Sequence, residues 1–297
     1  MRQGSRPASR TPSRHPPGIL PLRDLDYGGE GDARQKLDLY VPEKRPEKLL
    51  PLIIFIHGGG WHRGSKNDCG IIFPLLGDGA YVAASLNYRL TDQAQWPAQI
   101  HDCKAALRWL GAHAADYGID PTRIGLIGIS AGGHLVSLLS TSQDIPDLDG
   151  QIGSPGPVPK IACVANFAGP GNLLTFPGHG SIIDPEDPAS AIAKLLGGPM
   201  SAHLAEAKAA SPNTYITPDD PPFLIIFGSK DTLVPYAQAE EMDAALGRAG
   251  VPSTLLTAKD GPHVFVSPDL LNKLRTFFDH HLHGAKPTVP EGPVRFR

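Results

Sequence analysis

Six continuous apolar runs, separated by stretches of helical periodicity, constrain this chain of 297 residues more than any other feature. They are Pro51–His57, Tyr81–Tyr88, Arg123–Ser130, Ile161–Ala168, Phe223–Gly228 and Ser253–Ala258. A strand that is apolar on both faces needs a sheet covered on both sides. The stretches between the runs supply the cover. In Pro97–Ala114, Ile100, Cys103, Leu107, Leu110 and Ala114 recur at spacings of three and four; Ala131–Ser140, Pro235–Ala249 and Asp269–His283 also read as helices. Strands alternating with helices require right-handed crossovers and hence a mostly parallel sheet. Two shorter runs, Leu22–Tyr27 and Lys36–Val41, flank a Gly- and Asp-rich turn and read as antiparallel leading strands, making eight in all.

The alternation never stops long enough to divide the chain, so residues 22–283 read as one α/β domain with helices on both faces of the sheet. Residues 1–21 carry four arginines among Ser and Pro and are expected to be a disordered tail. Residues 284–297, again Pro-rich, are expected to be loose. Two segments interrupt the domain, 143–160 and 169–215. The longer one holds helical patterns around Ala189–Leu196 and Ser201–Ala209, and is expected to form a partial lid over the sheet edge.

Composition narrows the function classes. A net charge of -3 offers no footprint for nucleic acid, and no apolar run approaches the roughly 18 residues of a membrane span. The apolar piece Gly18-Ile19-Leu20 is too short for the core of an export signal, which leaves location open between the cytoplasm and a secreted protein without its signal. The three cysteines cannot form a disulfide framework. Cys69 and Cys103 could form one bridge, or all three could be buried thiols; none has zinc-ligand spacing.

The third run passes through Gly128-Ile129-Ser130-Ala131-Gly132 directly into a helical pattern. A sharp strand-to-helix turn with small residues on either side exposes the serine at the carboxyl edge of the sheet. A serine hydroxyl near neutral pH is a weak nucleophile, so this reading requires a base, a carboxylate and oxyanion donors. His57-Gly58-Gly59-Gly60-Trp61 leaves the same sheet edge, and its glycines let the amides of Gly59 and Gly60 turn inward beside that of Ala131. His57 is expected to bond within its own loop, and Trp61 to wall the substrate pocket. Asp231 follows the run Phe223–Gly228, and His263 follows Ser253–Ala258, both in strand-end loops where sites in such sheets gather. Asp260 competes for the acid role but sits only three residues from His263. His134 is expected in packing or solvent, and His280, His281 and His283 on a solvated helix end.

The order Ser130, Asp231, His263 and four motifs then carry a resemblance: HGGGW at 57–61, GISAGG at 128–133, SKDTLVP at 229–235 and GPHVF at 261–265. The chain resembles α/β-hydrolases of the hormone-sensitive-lipase-like or feruloyl-esterase-like carboxylesterase group over about 22–283. In that group the stretch Asn87–Leu90 and the helix from Pro97 link the oxyanion loop to the nucleophile strand. The lipase-like members begin with a helical cap, whereas a Pro- and Arg-rich tail stands here, which implies a more open pocket. The resemblance implies hydrolysis of short-chain or aromatic esters, of the acetyl or feruloyl type, through an acyl-enzyme. It also implies a small ester or an ester-substituted polysaccharide as substrate, and a mechanism that needs no cofactor or metal. A polysaccharide deacetylase, a serine peptidase or amidase, and a non-catalytic binder on the same scaffold are the alternatives; the sequence leaves the oligomeric state open.

Overall fold

The structure is a computed structural model that describes residues 15–44, 46–289 and 292–296. Its centre is one eight-stranded sheet in the order β1-β2-β4-β3-β5-β6-β7-β8. The strands are β1 (Ile19–Asp26), β2 (Lys36–Pro42), β3 (Leu50–Ile56), β4 (Val82–Leu86), β5 (Ile119–Ile129), β6 (Cys163–Phe167), β7 (Phe223–Gly228) and β8 (Ser253–Ala258). β1 and β2 pair antiparallel, as do β2 and β4; from β4 to β8 every pairing is parallel. The apolar runs therefore form the parallel part. Every residue of β4, β6 and β7 is buried, as a sheet covered on both faces requires.

The helices are α1 (Phe73–Leu76), α2 (Ala98–Ala112), α3 (Ala131–Thr141), α4 (Ala191–Leu196), α5 (Leu204–Ala209), α6 (Ala237–Ala249) and α7 (Pro268–His283). The four long ones are those that periodicity implied. α4 and α5 lie in the 169–215 insertion, where the two short patterns stood. α7 starts with Ser267 accepting the Leu270 amide at 3.1 Å and ends at Gly284 with φ 68°, a side-chain cap at one end and a left-handed glycine at the other.

Three expectations change. β1 begins at Ile19, inside the stretch assigned to the tail, because the Gly18 carbonyl and residues 19–21 pair with the end of β2; residues 1–14 lie outside the described residues. Part of the segment after Gly284 that was expected to be loose is docked, while residues 286–288 are exposed. Val294 is buried and its N–H donates to the Thr257 carbonyl at 3.0 Å, capping the open edge of β8, while Phe296 packs on Phe265 with ring centroids 5.6 Å apart. An exposed strand edge carries unpaired backbone groups, so returning chain is a stable place for an apolar residue. Two of the histidines ending α7 are also less solvated than expected, His281 packing on Phe277 and His280 bonding to the Ala285 carbonyl at 2.8 Å, while His283 is exposed. All three cysteines are buried free thiols, which settles the open question of a bridge.

Candidate active site

Ser130 sits between β5 and α3 with φ 57° and ψ −121°, a conformation that costs a non-glycine residue about 1–3 kcal/mol. The surrounding backbone holds it there: the Ser130 N–H donates to the Phe167 carbonyl at 2.7 Å, and the Ser130 carbonyl accepts the His134 amide at 2.9 Å. The need for small neighbours is literal. A Cβ on Gly128 would lie 2.1 Å from the Gly132 carbonyl oxygen, and one on Gly132 would lie 2.0 Å from that of Ile56. No side chain fits at either position, so strand and helix close on a turn whose apex is the serine.

His263 and Asp231 come together from adjacent strand ends. The Asp231 carboxylate, whose side chain is fully buried, accepts from His263 Nδ1 at 2.6 Å through Oδ2. Its Oδ1 accepts the backbone amides of Leu233 at 2.8 Å and Val234 at 3.0 Å. The carboxylate is thus fixed by three donors before any substrate arrives, and it fixes one imidazole nitrogen as a donor. Asp260, the competitor, is exposed and paired with Lys230 at 2.9 Å, and its amide bonds to Ser229. His263 and Ser130 line the same cavity of about 390 Å³.

The 57–64 loop forms another wall of that cavity. Gly59 and Gly60 have φ 108° and 59°, conformations open to glycine, and among the described residues their N–H groups have no protein partner. Ala131 opens α3, so its N–H is one of the amides a helix leaves unpaired at its start, at the positive end of the helix dipole. All three residues line the cavity with Ser130.

Trp61 also lines it, but is anchored from behind. Its indole N–H donates to His134 Nδ1 at 3.2 Å, and His134 Nε2 donates to the Ala210 carbonyl at 2.6 Å. His134 is therefore a packed linker, and burial lowers its pKa from 6.5 to about 4, keeping the ring neutral. His57 is likewise fully buried, with Nδ1 donating to the Gly58 carbonyl at 2.7 Å and its pKa lowered to about 4 by desolvation. Neither histidine has a free nitrogen for Ser130.

Trp61 and the 169–215 insertion were expected beside the pocket, but the sequence did not single out which residues of the insertion and of the Asp231 loop shape the cavity. The insertion contributes Pro170, Phe176, Ile183, Ala191 and Ile192, and the Asp231 loop contributes Leu233 and Val234. The insertion is tied to that loop by Ser181 Oγ donating to the Leu233 carbonyl at 2.7 Å and by the Ile182 N–H to Thr232 at 2.9 Å. It also abuts the glycine loop, since a Cβ on Gly60 would lie 3.0 Å from that of Ala191. Leu233 and Val234 stand two and three residues after Asp231, which was a usable signal. Ala191 and Ile192 lie in the helical pattern that became α4, whereas Pro170, Phe176 and Ile183 obey no period that marks them. No group of three or more metal-ligating side chains gathers among the described residues.

Comparison with known proteins follows the same outline. The family model described as BD-FAE matches residues 37–246. Esterase LipQ of Mycobacterium tuberculosis is 31% identical over 235 residues, covering 76% of this chain and 53% of LipQ. The probable carboxylic ester hydrolase LipM of the same organism is 33% identical over 223 residues, covering 73% of this chain and 49% of LipM. The chain thus spans about half the length of these curated relatives. Among solved structures, a truncated carbohydrate esterase from gut microbiota aligns with TM-score 0.82 and 26% identity, covering 91% of this chain and 100% of that one. A bifunctional GH43-CE of Bacteroides eggerthii gives 0.82 at 30% identity, over 88% of this chain and 35% of that one.

Proposed function

The chain belongs to the BD-FAE family and has the α/β-hydrolase fold, and from that premise we propose that it is a serine carboxylesterase working through an acyl-enzyme. The observation that carries the reading is the 2.6 Å bond from His263 Nδ1 to buried Asp231, in a cavity that His263 shares with Ser130. With the proton held on Nδ1, Nε2 of His263 is the basic nitrogen. It takes the Ser130 proton as the hydroxyl attacks an ester carbonyl, and Asp231 stabilises the imidazolium that forms. The Gly59, Gly60 and Ala131 amides receive the negative charge on the carbonyl oxygen. Proton return from His263 expels the alcohol, and water then repeats the sequence on the acyl group.

The largely apolar cavity suits an acetyl, short-chain or aromatic acyl group. Action on the ester groups of a polysaccharide is the second reading, favoured by the carbohydrate-esterase names of the structural neighbours. Replacing Ser130 by Ala should abolish turnover of p-nitrophenyl acetate while the circular dichroism spectrum stays that of the wild type. Turnover retained in that variant would end the proposal. Comparing acetyl, butyryl, octanoyl and hydroxycinnamoyl esters, free and polysaccharide-linked, separates the two substrate readings.

A further inference from the structure

We infer that Arg34, on the loop between β1 and β2, is a positioning residue that clamps both ends of the 57–64 loop and so sets the direction of the Gly59 and Gly60 amides. The inference rests on reading that loop as the oxyanion site.

An oxyanion donor is effective only if it is already aimed when charge develops, yet glycine-rich backbone is the least rigid kind. Something must hold it. Arg34 uses three donors in three directions: Nε to the Tyr88 carbonyl at 3.1 Å, Nη1 to the Gly64 carbonyl at 3.1 Å, and Nη2 to His57 Nε2 at 3.3 Å. His57 begins the loop, Gly64 ends it, and Tyr88 belongs to the segment that follows the neighbouring strand β4. One guanidinium thus joins the loop's two ends to the buried Tyr88 just beyond the end of β4.

The acceptor on His57 is prepared for this bond. Nδ1 is committed as a donor to the Gly58 carbonyl, so in the neutral ring Nε2 is the acceptor, and burial keeps the ring neutral. The ring stacks on Tyr88 at 4.3 Å with an 11° interplanar angle, and the Tyr88 hydroxyl donates to the His57 carbonyl at 3.0 Å. The loop's ends already touch, since a Cβ on Gly64 would lie 2.5 Å from the Gly58 carbonyl oxygen and 2.6 Å from His57 Nδ1. From there the coupling to chemistry is short: a Cβ on Gly58 would lie 3.2 Å from Cβ of Ser130. Arg34 itself is not among the cavity-lining residues, so it acts through the loop and not on substrate. A lysine cannot replace it, because an ammonium lacks the planar fork that reaches three acceptors in fixed directions.

The test compares wild type, Arg34→Lys and Arg34→Ala on p-nitrophenyl acetate, with Ser130→Ala as the inactive control and active sites counted by fluorophosphonate titration. A loop displaced by about 1 Å should lower kcat by about 10- to 100-fold, with KM changed by no more than about twofold, because the lost interaction belongs to the transition state. Added guanidinium, but not methylammonium, should restore part of kcat per titrated site in Arg34→Ala. Should Arg34→Ala not fold, the kcat-against-KM split in Arg34→Lys decides alone. An unchanged kcat in Arg34→Lys, or a loss carried wholly by KM, overturns the inference. A wild-type protein inactive on all esters would instead remove the esterase reading beneath it.

Discussion

Replacing Asp231 by Asn separates geometry from charge at the point where the two matter most. Asp231 Oδ1 accepts two backbone amides, from Leu233 and Val234, at 2.8 and 3.0 Å. An asparagine must keep its oxygen there, because its NH₂ cannot accept. The NH₂ is then forced to the Oδ2 position, facing His263 Nδ1 across what is a 2.6 Å bond in the native protein. Two donors cannot share that contact, so the imidazole proton moves to Nε2 and Nδ1 becomes the acceptor. The nitrogen facing the serine then carries a proton and cannot serve as base. Fold and cavity should survive, since both backbone bonds remain. The expected loss in kcat is about ten-thousand-fold, equivalent to about 5 kcal/mol of barrier, with KM little changed. Steady-state kinetics on p-nitrophenyl acetate, beside a thermal melt within a few degrees of wild type, would check it. A loss under tenfold would refute the reasoning, as would a larger loss in Asp260→Asn.

Two further outcomes follow from the same geometry. His57 and His134 are buried neutral, with pKa lowered from 6.5 to about 4, so between those values the unfolded chain binds protons that the folded one does not. Their contribution to stability is complete above pH 6.5 and declines as pH falls towards 4, by up to about 3 kcal/mol for each ring; melting temperature should drop steeply over that window and less so in His134→Gln, and equal slopes would contradict the assignment. Ile183 is a half-buried part of the insertion's wall of the cavity, so Ile183→Ala should raise the kcat/KM ratio of octanoyl to acetyl esters by about tenfold; an unchanged acyl profile would place the acyl group against a different wall.

The core of the fold was legible because continuous apolar runs have few stable destinations. Phe223–Gly228 and Ser253–Ala258 are strands with the very limits read from the sequence, and the long helices differ from expectation by a few residues at their ends. That Ser130, Asp231 and His263 come together was legible for a related reason: strand ends of a parallel sheet converge on one edge, so chain order alone restricts which loops meet. What escaped were contacts without a period. Val294 gives no sign that it caps β8, since a single apolar residue in a Pro-rich stretch carries no direction. Arg34 stands in a turn-rich segment where a charged residue reads as solvated; only the pairing of β2 with β4 brings that loop to the 57–64 loop. The insertion was expected as a partial lid, but its irregular wall residues Pro170, Phe176 and Ile183 escaped for the same reason, as irregular chain is positioned by hydrogen bonds to carbonyls, such as those of Thr232 and Leu233, that any residue can offer.

The central claim is that Ser130 is an activated nucleophile, and covalent labelling tests it with the fewest intervening assumptions. A fluorophosphonate should add one phosphonyl group to the wild-type protein, and peptide mass mapping should locate it on Ser130. Asp231→Asn should label far more slowly and Ser130→Ala not at all. A wild-type protein that stays unlabelled, or an adduct on any other residue, would contradict the account.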